Sequence, residues 1–404
     1  MTTMTSSLLA GVELAPRDPI LGLTEQFNAD KNPKKVNLGI GVYTDDKGKV
    51  PLLECVRSAE TQMLAQAAPH SYLPIDGLAA YDKAVQALVF GAESPAVKEG
   101  RTITVQALGG TGGLKIGADF LRRAAPKADV WISDPSWENH RALFTDAGFT
   151  VHAYPYYDAK THGVDFDALL GGLRKVPSGA IVVMHACCHN PTGVDLTPDQ
   201  WTSVIEIVGS RGLVPFLDIA YQGFGEGIDL DGAAVRRFAQ AGLPVFVSNS
   251  FSKSFSLYGE RVGALSIVAQ SSEEAVRVLS QVKRLVRTNY SNPPLHGGQV
   301  IAKVLTTPDL RSLWEQELAH MRDRIRTMRA LLVEKIHSRV PGADFSFILK
   351  QKGMFSYSGL TQQQVVRMRE EFGVYAIESG RICVAALNMG NIDYAADSIA
   401  KVLR

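Results

Sequence analysis

Lys253 stands alone among hydroxyls. The stretch SNSFSKSFSLYGERVG, residues 248–263, follows an apolar run. In it Ser250, Ser252, Ser254 and Ser256 flank a single lysine, with Arg261 eight residues further on. A lysine that attacks a carbonyl must first lose its proton, and burial or a neighbouring cation makes that loss easier. The hydroxyl of Ser250 and the guanidinium of Arg261 could meanwhile hold a phosphate. A solvated lysine in a serine-rich loop would explain the same letters, so the reading depends on what other strand ends contribute.

Two of them contribute polar groups. LVPFLDIAYQGF places Asp218 at the tip of an apolar run with Tyr221 three residues on; an unpaired buried carboxylate is costly, so Asp218 requires a cationic partner. AIVVMHACCHNPTG ends a similar run with His189, Asn190 and a Pro-Thr-Gly turn, where Asn190 reads equally as a turn residue or a ligand contact. The segment ALGGTGGLKIGADF passes from a strand through glycines into a helix. Backbone N–H groups at such a turn favour a phosphate, and Thr111 adds a hydroxyl. Glycines 109, 110, 112 and 113 nevertheless lack the G-x-G-x-x-G spacing, and Lys115 lacks a P-loop context.

His185, Cys187, Cys188 and His189 raise the question of a metal. Adjacent cysteines at the end of a strand are expected to point to opposite faces, and no second ligand cluster appears, so no metal is expected. Three arginines, Arg261, Arg287 and Arg381, sit in the settings GERVG, VRTNYSNPP and SGRICV. Each could pair on the surface; together their two-pronged geometry suits a ligand carrying several anions.

The elements that must position these groups follow from periodicity. From about residue 100 to 270, TITVQAL, VWIS, VHAYPY, AIVVMHA, LVPFLDIA, PVFVSNS and GALSIVA read as buried strands. They alternate with helices such as GLKIGADFLRRAA and DQWTSVIEIVGSRG, an order that predicts a mostly parallel sheet flanked by helices. Ligands gather at the carboxyl ends of such strands. Beyond residue 306, Thr307-Pro308 opens a helix with an apolar stripe at Leu310, Trp314, Leu318, Met321, Ile325, Met328 and Leu332, stopping near Pro341 and Gly342. A capping box at Thr361 and Gln364 opens a further helix ending at Gly373. This part reads as a smaller domain, and the first 50 residues, without a helix-strand rhythm of their own, are expected to pack with it.

Composition excludes several classes. The 404 residues allow two to three domains, and a 46% hydrophobic content with 36 glycines and 19 prolines rules out disordered, collagen-like and disulfide-scaffold chains. Forty-two Lys and Arg against 41 Asp and Glu leave a net charge of +1, without the basic footprint of a nucleic-acid binder or a polybasic membrane protein. The opening MTTMTSSLLAGVELAPRDPI does not read as a signal peptide, and no run approaches the roughly 20 apolar residues of a membrane span. Four irregularly spaced cysteines, Cys55, Cys187, Cys188 and Cys383, point to a reduced, cytoplasmic setting.

Along essentially its whole length the chain resembles the fold-type-I, pyridoxal-phosphate-dependent aminotransferases of the aspartate and aromatic amino acid group. The motifs that carry the resemblance are NLGIGVY, SYLPIDG, GGTGGLKIGADF, DPSWENH, CCHNPTG, FLDIAYQGF, SFSKSFSLYGERVG, NYSNPP, GMFSYSGL and SGR. SYLPIDG, WENH and GMFSYSGL are most similar to bacterial aromatic (tyrosine) aminotransferases, whereas Val42, Thr111 and Asn292 resemble aspartate-type choices. The resemblance implies an α/β fold with a large cofactor domain, its mixed sheet mostly parallel, and a smaller α/β domain. Residues 1–50 would form an arm and part of the small domain, 51–310 the large domain, and 311–404 a connecting helix with the rest of the small one.

The resemblance also implies roles. Lys253 would carry the cofactor as a Schiff base and then serve as the base at the amino acid Cα; Asp218 would face the ring nitrogen, with His140 supporting it from behind. Asn190 and Tyr221 would bond the ring hydroxyl oxygen and Trp137 would stack on the ring. Gly110, Thr111, Ser250 and Arg261 would hold the phosphate, joined by Tyr72 from a partner subunit. Arg381, aided by Asn190 and the backbone at Gly41, would bind the substrate α-carboxylate, and Arg287 from the partner the distal one. A homodimer with shared sites, embraced by its N-terminal arms, would move amino groups from tyrosine, phenylalanine and aspartate to 2-oxoglutarate by ping-pong kinetics. The competing readings are an aspartate aminotransferase with little aromatic activity, a lyase or decarboxylase on the same fold, and a non-catalytic binding protein or regulator domain.

Overall fold

The computed structural model describes residues 7–15 and 21–404; the parts of the expected N-terminal arm at 1–6 and 16–20 lie outside the described residues. Seven strands form the central sheet: β1 (Thr102–Leu108), β2 (Val130–Asp134), β3 (Val151–Pro155), β4 (Ile181–His185), β5 (Val214–Ile219), β6 (Val245–Ser250) and β7 (Val262–Val268). Their spatial order is β1-β7-β6-β5-β4-β2-β3. All neighbours are parallel except β7, which runs antiparallel to both β1 and β6.

Side chains alternate across this sheet with the two-residue period of a strand. Val183, Phe216, Phe246 and Leu265 enter one apolar cluster, while Val182, Leu217, Val247 and Ala264, their chain neighbours, enter the other. Both faces are covered, which is why these strands read as continuous apolar runs. Helix α1 (Gly109–Ala124) packs on β6 and β7, and its approach requires glycine at 117, where a Cβ would meet the Phe216 ring at 2.5 Å.

Helix α2 (Pro308–Arg339) begins with proline at its first turn, and its 32 residues span about 48 Å at the α-helical rise. Every member of the expected stripe, from Leu310 to Leu332, is buried. Its Glu317 carboxylate accepts from the backbone N–H groups of Glu54 and Cys55 at 2.7 and 3.0 Å, satisfying the exposed donors of the helix Glu54–Gln66. The helix Gln362–Phe372 carries the Thr361/Gln364 capping box and ends at Gly373 with φ 66°, a left-handed stop that suits glycine. Val36–Asn37 pairs in parallel with Val374–Tyr375, and Phe355–Tyr357 antiparallel with Arg381–Cys383. The N-terminal segment has more structure than its letters suggest: a helix covers Leu21–Ala29, and Phe27 meets Tyr375 edge-on at 5.4 Å. Its low amphipathicity hid it, because its buried side is supplied by residues distant in the chain, Tyr375 and Ile377, against which Leu23 and Phe27 pack.

One carboxyl is placed at a cost. On the helix Ala79–Phe90, Oδ1 of Asp82 is sealed from solvent without a hydrogen-bond partner. Burial, followed by the nearby Asp76 charge, pushes Asp82 up to about 8 against the opposing Lys283, which is ion-paired with Asp76 at 3.0 Å. A carboxyl raised in the folded state loses stability progressively as pH rises from its unfolded value towards 8. Asp82→Asn should therefore raise the thermal midpoint by several degrees at pH 8 and by little at pH 4–5. A difference independent of pH would show that the buried charge is not the cause.

Candidate active site

The register aligns the carboxyl ends of the central strands. His185 on β4 lies beside Asp218 on β5, and Asp218 beside Ser248 on β6. Ser250 lies beside Gly263 on the antiparallel β7. A cavity of about 420 Å³ opens over these ends, lined by Gly41, Gly110, Thr111, Trp137, Asn190, Asp218, Tyr221, Ser250, Lys253 and Arg261. Ten residues singled out from the sequence thus converge on one space, as expected at the carboxyl edge of a parallel sheet.

Lys253 follows β6 in a tight turn, its Nζ 4.9 Å from the centroid of the Tyr221 ring. Burial brings its ammonium down to about 8; the positive charges of Arg261 and Arg381 act the same way and Asp218 opposes them. The amine is thus partly free near neutral pH, as a carbonyl-attacking lysine requires.

Asp218 is 4% exposed and meets His140 Nε2 at 3.0 Å, while Ser136 Oγ meets the other ring nitrogen at 2.9 Å. Burial alone would raise the carboxyl, but the His140 hydrogen bond and the positive charges around it, Lys253 included, hold it below the usual carboxylate range. The result is a fixed anion at the cavity floor. Trp137 packs edge-to-face on His140 at 5.3 Å and presents its ring to the cavity. Burial pushes the Tyr221 hydroxyl well up, so it remains a donor.

A second end of the cavity is built for an anion. The N-terminus of α1 contributes Gly110 and Thr111, and Ser250, Ser252 and Arg261 close the cup. Gly109 has φ 69°, and a Cβ there would meet Arg261 Nη2 at 2.6 Å; only glycine permits this approach. Arg261 donates to Ser252 Oγ at 3.3 Å and to the Tyr258 carbonyl at 3.0 Å, with no carboxylate among the described residues paired to it. Hydroxyls, helix N–H groups and an unpaired guanidinium suit a phosphate. With an amine, an anion and a flat aromatic face nearby, the donor set fits pyridoxal phosphate.

Arg381 adjoins the other side. It is 1% exposed and donates to Asn190 Oδ1 at 3.0 Å and to the Gly39 carbonyl at 2.8 Å, while its Nε has no partner. A buried guanidinium among neutral acceptors calls for an incoming anion. Tyr72 and Arg287 lie elsewhere: Tyr72 is 92% exposed, and Arg287 is exposed at the end of the helix Ser272–Asn289, donating to Ser291. Neither reaches this chain's own cavity.

The cysteines depart from expectation. Strand β4 ends at His185, and Cys188 takes φ 50°, so the alternation of a strand no longer applies. Both thiols lie on one side, within 4.8 Å of an Asp231 oxygen and of each other. Asp231 is occupied otherwise, accepting from the backbone N–H groups of Gly223, Gly225 and Glu226 at 2.8–2.9 Å; it caps the turn that follows Tyr221.

Several cavity residues escape a linear reading. His185 lines the cavity with both ring nitrogens unpartnered, and burial brings it down to about 3, so it is neutral. Its place at a strand end level with Asp218 is the signal that could have found it. Tyr258 also lines the cavity, and its hydroxyl accepts from Tyr43 N–H at 2.8 Å, tethering the segment that carries Gly41; nothing local marks that role.

Comparison with known proteins agrees with this geometry. The family description "Aminotransferase class I and II" matches residues 33–399. An aspartate aminotransferase of Pseudomonas aeruginosa is 61% identical over 397 residues, covering 98% of this chain and 100% of that one. An aromatic-amino-acid aminotransferase of Escherichia coli is 53% identical, covering 96% and 98%. The crystal structure of an aromatic-amino-acid aminotransferase from Burkholderia pseudomallei, covalently bound to pyridoxal phosphate, superimposes with a TM-score of 0.96 at 66% identity, covering 98% of this chain and 100% of that one. The chain belongs to the class I and II aminotransferases.

Proposed function

We propose that this aminotransferase uses pyridoxal phosphate held on Lys253 to move the amino group of tyrosine, phenylalanine and aspartate to 2-oxoglutarate. The observation that carries the reading is one cavity lined by a partly deprotonated lysine, a buried ionised aspartate and Arg261, which has no carboxylate partner among the described residues, with a second such arginine, Arg381, bonded to the lining residue Asn190.

When bound, the cofactor supplies an aldehyde for the amine and a ring that takes up the electron pair left as Cα loses its proton. The chain's own groups do the rest. Lys253 would tether the cofactor and, once freed by the incoming amino group, would carry the proton between the substrate Cα and the cofactor carbon C4′ on the other side of the nitrogen. Asp218, kept ionised by His140, holds a proton on the ring nitrogen. Asn190 and Tyr221 bond the ring oxygen and Trp137 covers one face. Gly110, Thr111, Ser250 and Arg261 hold the phosphate; Arg381, with Asn190 and the Gly41 backbone, orients the α-carboxylate. Amino acid and 2-oxo acid use the same cavity in turn, which gives ping-pong kinetics.

The site is completed by a second copy: Tyr72 of the partner subunit would reach the phosphate and Arg287 of the partner subunit the distal carboxylate. Supporting this, both residues lie outside their own cavity, and Leu8, Leu9, Val12, Leu14 and Leu64 are 69–100% exposed, more apolar surface than one copy leaves in water without reason. We place residues 1–50 in an arm and part of the small domain, 51–310 in the large domain and 311–404 in the connecting helix and small domain. Residence in the cytoplasm is supported by four unpaired, buried cysteines.

The 61% identity to an aspartate aminotransferase favours a second reading with little aromatic activity. Specificity constants for phenylalanine, tyrosine and aspartate on the purified enzyme decide between them; negligible turnover of both aromatics would sink the first reading. The protein should also be yellow and lose that colour on adding amino acid. A colourless protein that gains no band with added pyridoxal phosphate would refute both.

A further inference from the structure

Arg381 is held by a ring as well as by carbonyls. Its guanidinium carbon lies 4.3 Å from the centroid of Phe355. The strand Phe355–Tyr357 pairs antiparallel with Arg381–Cys383, Phe355 opposite Cys383 and Tyr357 opposite Arg381, so Phe355 and Arg381 are diagonal neighbours on one face.

Three segments fix the ring. Tyr221 meets it edge-on at 5.8 Å. Gly41 leaves it room, since a Cβ there would stand 2.7 Å from Phe355 Cζ. Its backbone is clamped from behind by Arg329 of α2, which is 3% exposed and donates to the Gly353 carbonyl at 2.7 Å, the Phe355 carbonyl at 3.3 Å and Ser356 Oγ at 3.2 Å. Arg329 has no carboxylate partner among the described residues, and its hydrogen bonds go to the strand and the turn that leads into it.

We propose that Phe355 is a positioning residue for the substrate α-carboxylate: its negative ring face takes the place of a counterion on Arg381, holding the guanidinium aimed at the cavity yet unneutralised. A carboxylate in that position would orient Arg381 as well but would compete with the substrate; a quadrupole attracts the cation without occupying its donors. The inference rests on the reading of Arg381 as the carboxylate ligand. Because every substrate carries an α-carboxylate, the contribution must be the same for aromatic and acidic substrates.

The test uses the holoenzyme with two unreactive probes, 3-phenylpropanoate and succinate, their dissociation constants read by calorimetry beside KM and kcat for phenylalanine and aspartate. Phe355→Leu fills most of the volume without the quadrupole; both probes should weaken by the same factor, about three- to thirty-fold. KM should rise with it while kcat stays within about twofold. Should the leucine variant not fold, pentafluorophenylalanine at 355 keeps the shape and reverses the quadrupole, and it should weaken both probes likewise. Arg381→Lys separates the two ideas. If it leaves probe binding unchanged, the reading of Arg381 fails. If it weakens the probes while the leucine and pentafluorophenyl variants do not, the proposal for Phe355 is overturned.

Discussion

Lys253→Ala should lower turnover by at least about four orders of magnitude, the loss expected when the covalent tether and the acid–base group are one residue. No other group in the cavity can replace it. Lys253 is the one lysine among the lining residues, arginine does not give up its proton, and His185, though neutral, lies on the far side of Asp218 from β6. The pH dependence carries its own sign. With its ammonium brought down to about 8 by burial, Lys253 in the cofactor-free protein should react with an aldehyde about tenfold faster per pH unit below 8, then level off. Linkage gives a second readout. A lysine lowered in the folded state destabilises the cofactor-free protein fully below about 8, and the penalty fades as pH rises towards the unfolded value. Lys253→Ala should then raise the thermal midpoint of the cofactor-free protein at pH 7 and lose that advantage near pH 10. A variant that is equally active, or one destabilised at every pH, would contradict the role.

Asp218→Asn is the other large effect, expected to cost about three orders of magnitude in kcat/KM. The amide keeps the shape and the contact with His140 but cannot hold a proton on a ring nitrogen, because it carries no charge. Asp218 opposes the lowering of Lys253, so its loss should move the Lys253 midpoint below 8. Measuring that midpoint through aldehyde reactivity separates the electrostatic role from simple misfolding, which would not shift it in a fixed direction. The charge also matters for stability. A carboxyl held below its usual range contributes stability above its unfolded value that is lost as pH falls through the folded one. The asparagine variant should be the less stable protein at pH 7 and match the wild type in strong acid.

Much of this site was legible before any fold. Lys253, Asp218 and Asn190 each stand at or just beyond the end of an apolar run, and a polar group at such a place is either solvated or functional; the glycines at 109–113 mark a backbone that must approach something closely. The long helix was legible for the same kind of reason, its stripe repeating at three and four residues over 23 positions from Leu310 to Leu332. What escaped was geometry set by distant contacts. His185 matters because β4 lies beside β5. Phe355 matters because its strand is folded against Arg381, and the two cysteines share a side because Cys188 is left-handed.

The amino-acid sequence by itself determined the central strands, the strongly patterned helices, the polar residues at their ends and the chemistry those residues could perform, since each depends on periods and propensities a few residues long. The tertiary structure alone decided which ends became neighbours. Strand β7 inserts antiparallel between β1 and β6, carrying Arg261 to Gly109, and the C-terminal pair of strands brings Arg381 to Asn190 across 191 residues of chain. The physical reason is that local patterning settles which side of an element is apolar. Which apolar faces then cover one another is chosen by the burial they achieve together, and no short stretch of sequence contains that sum.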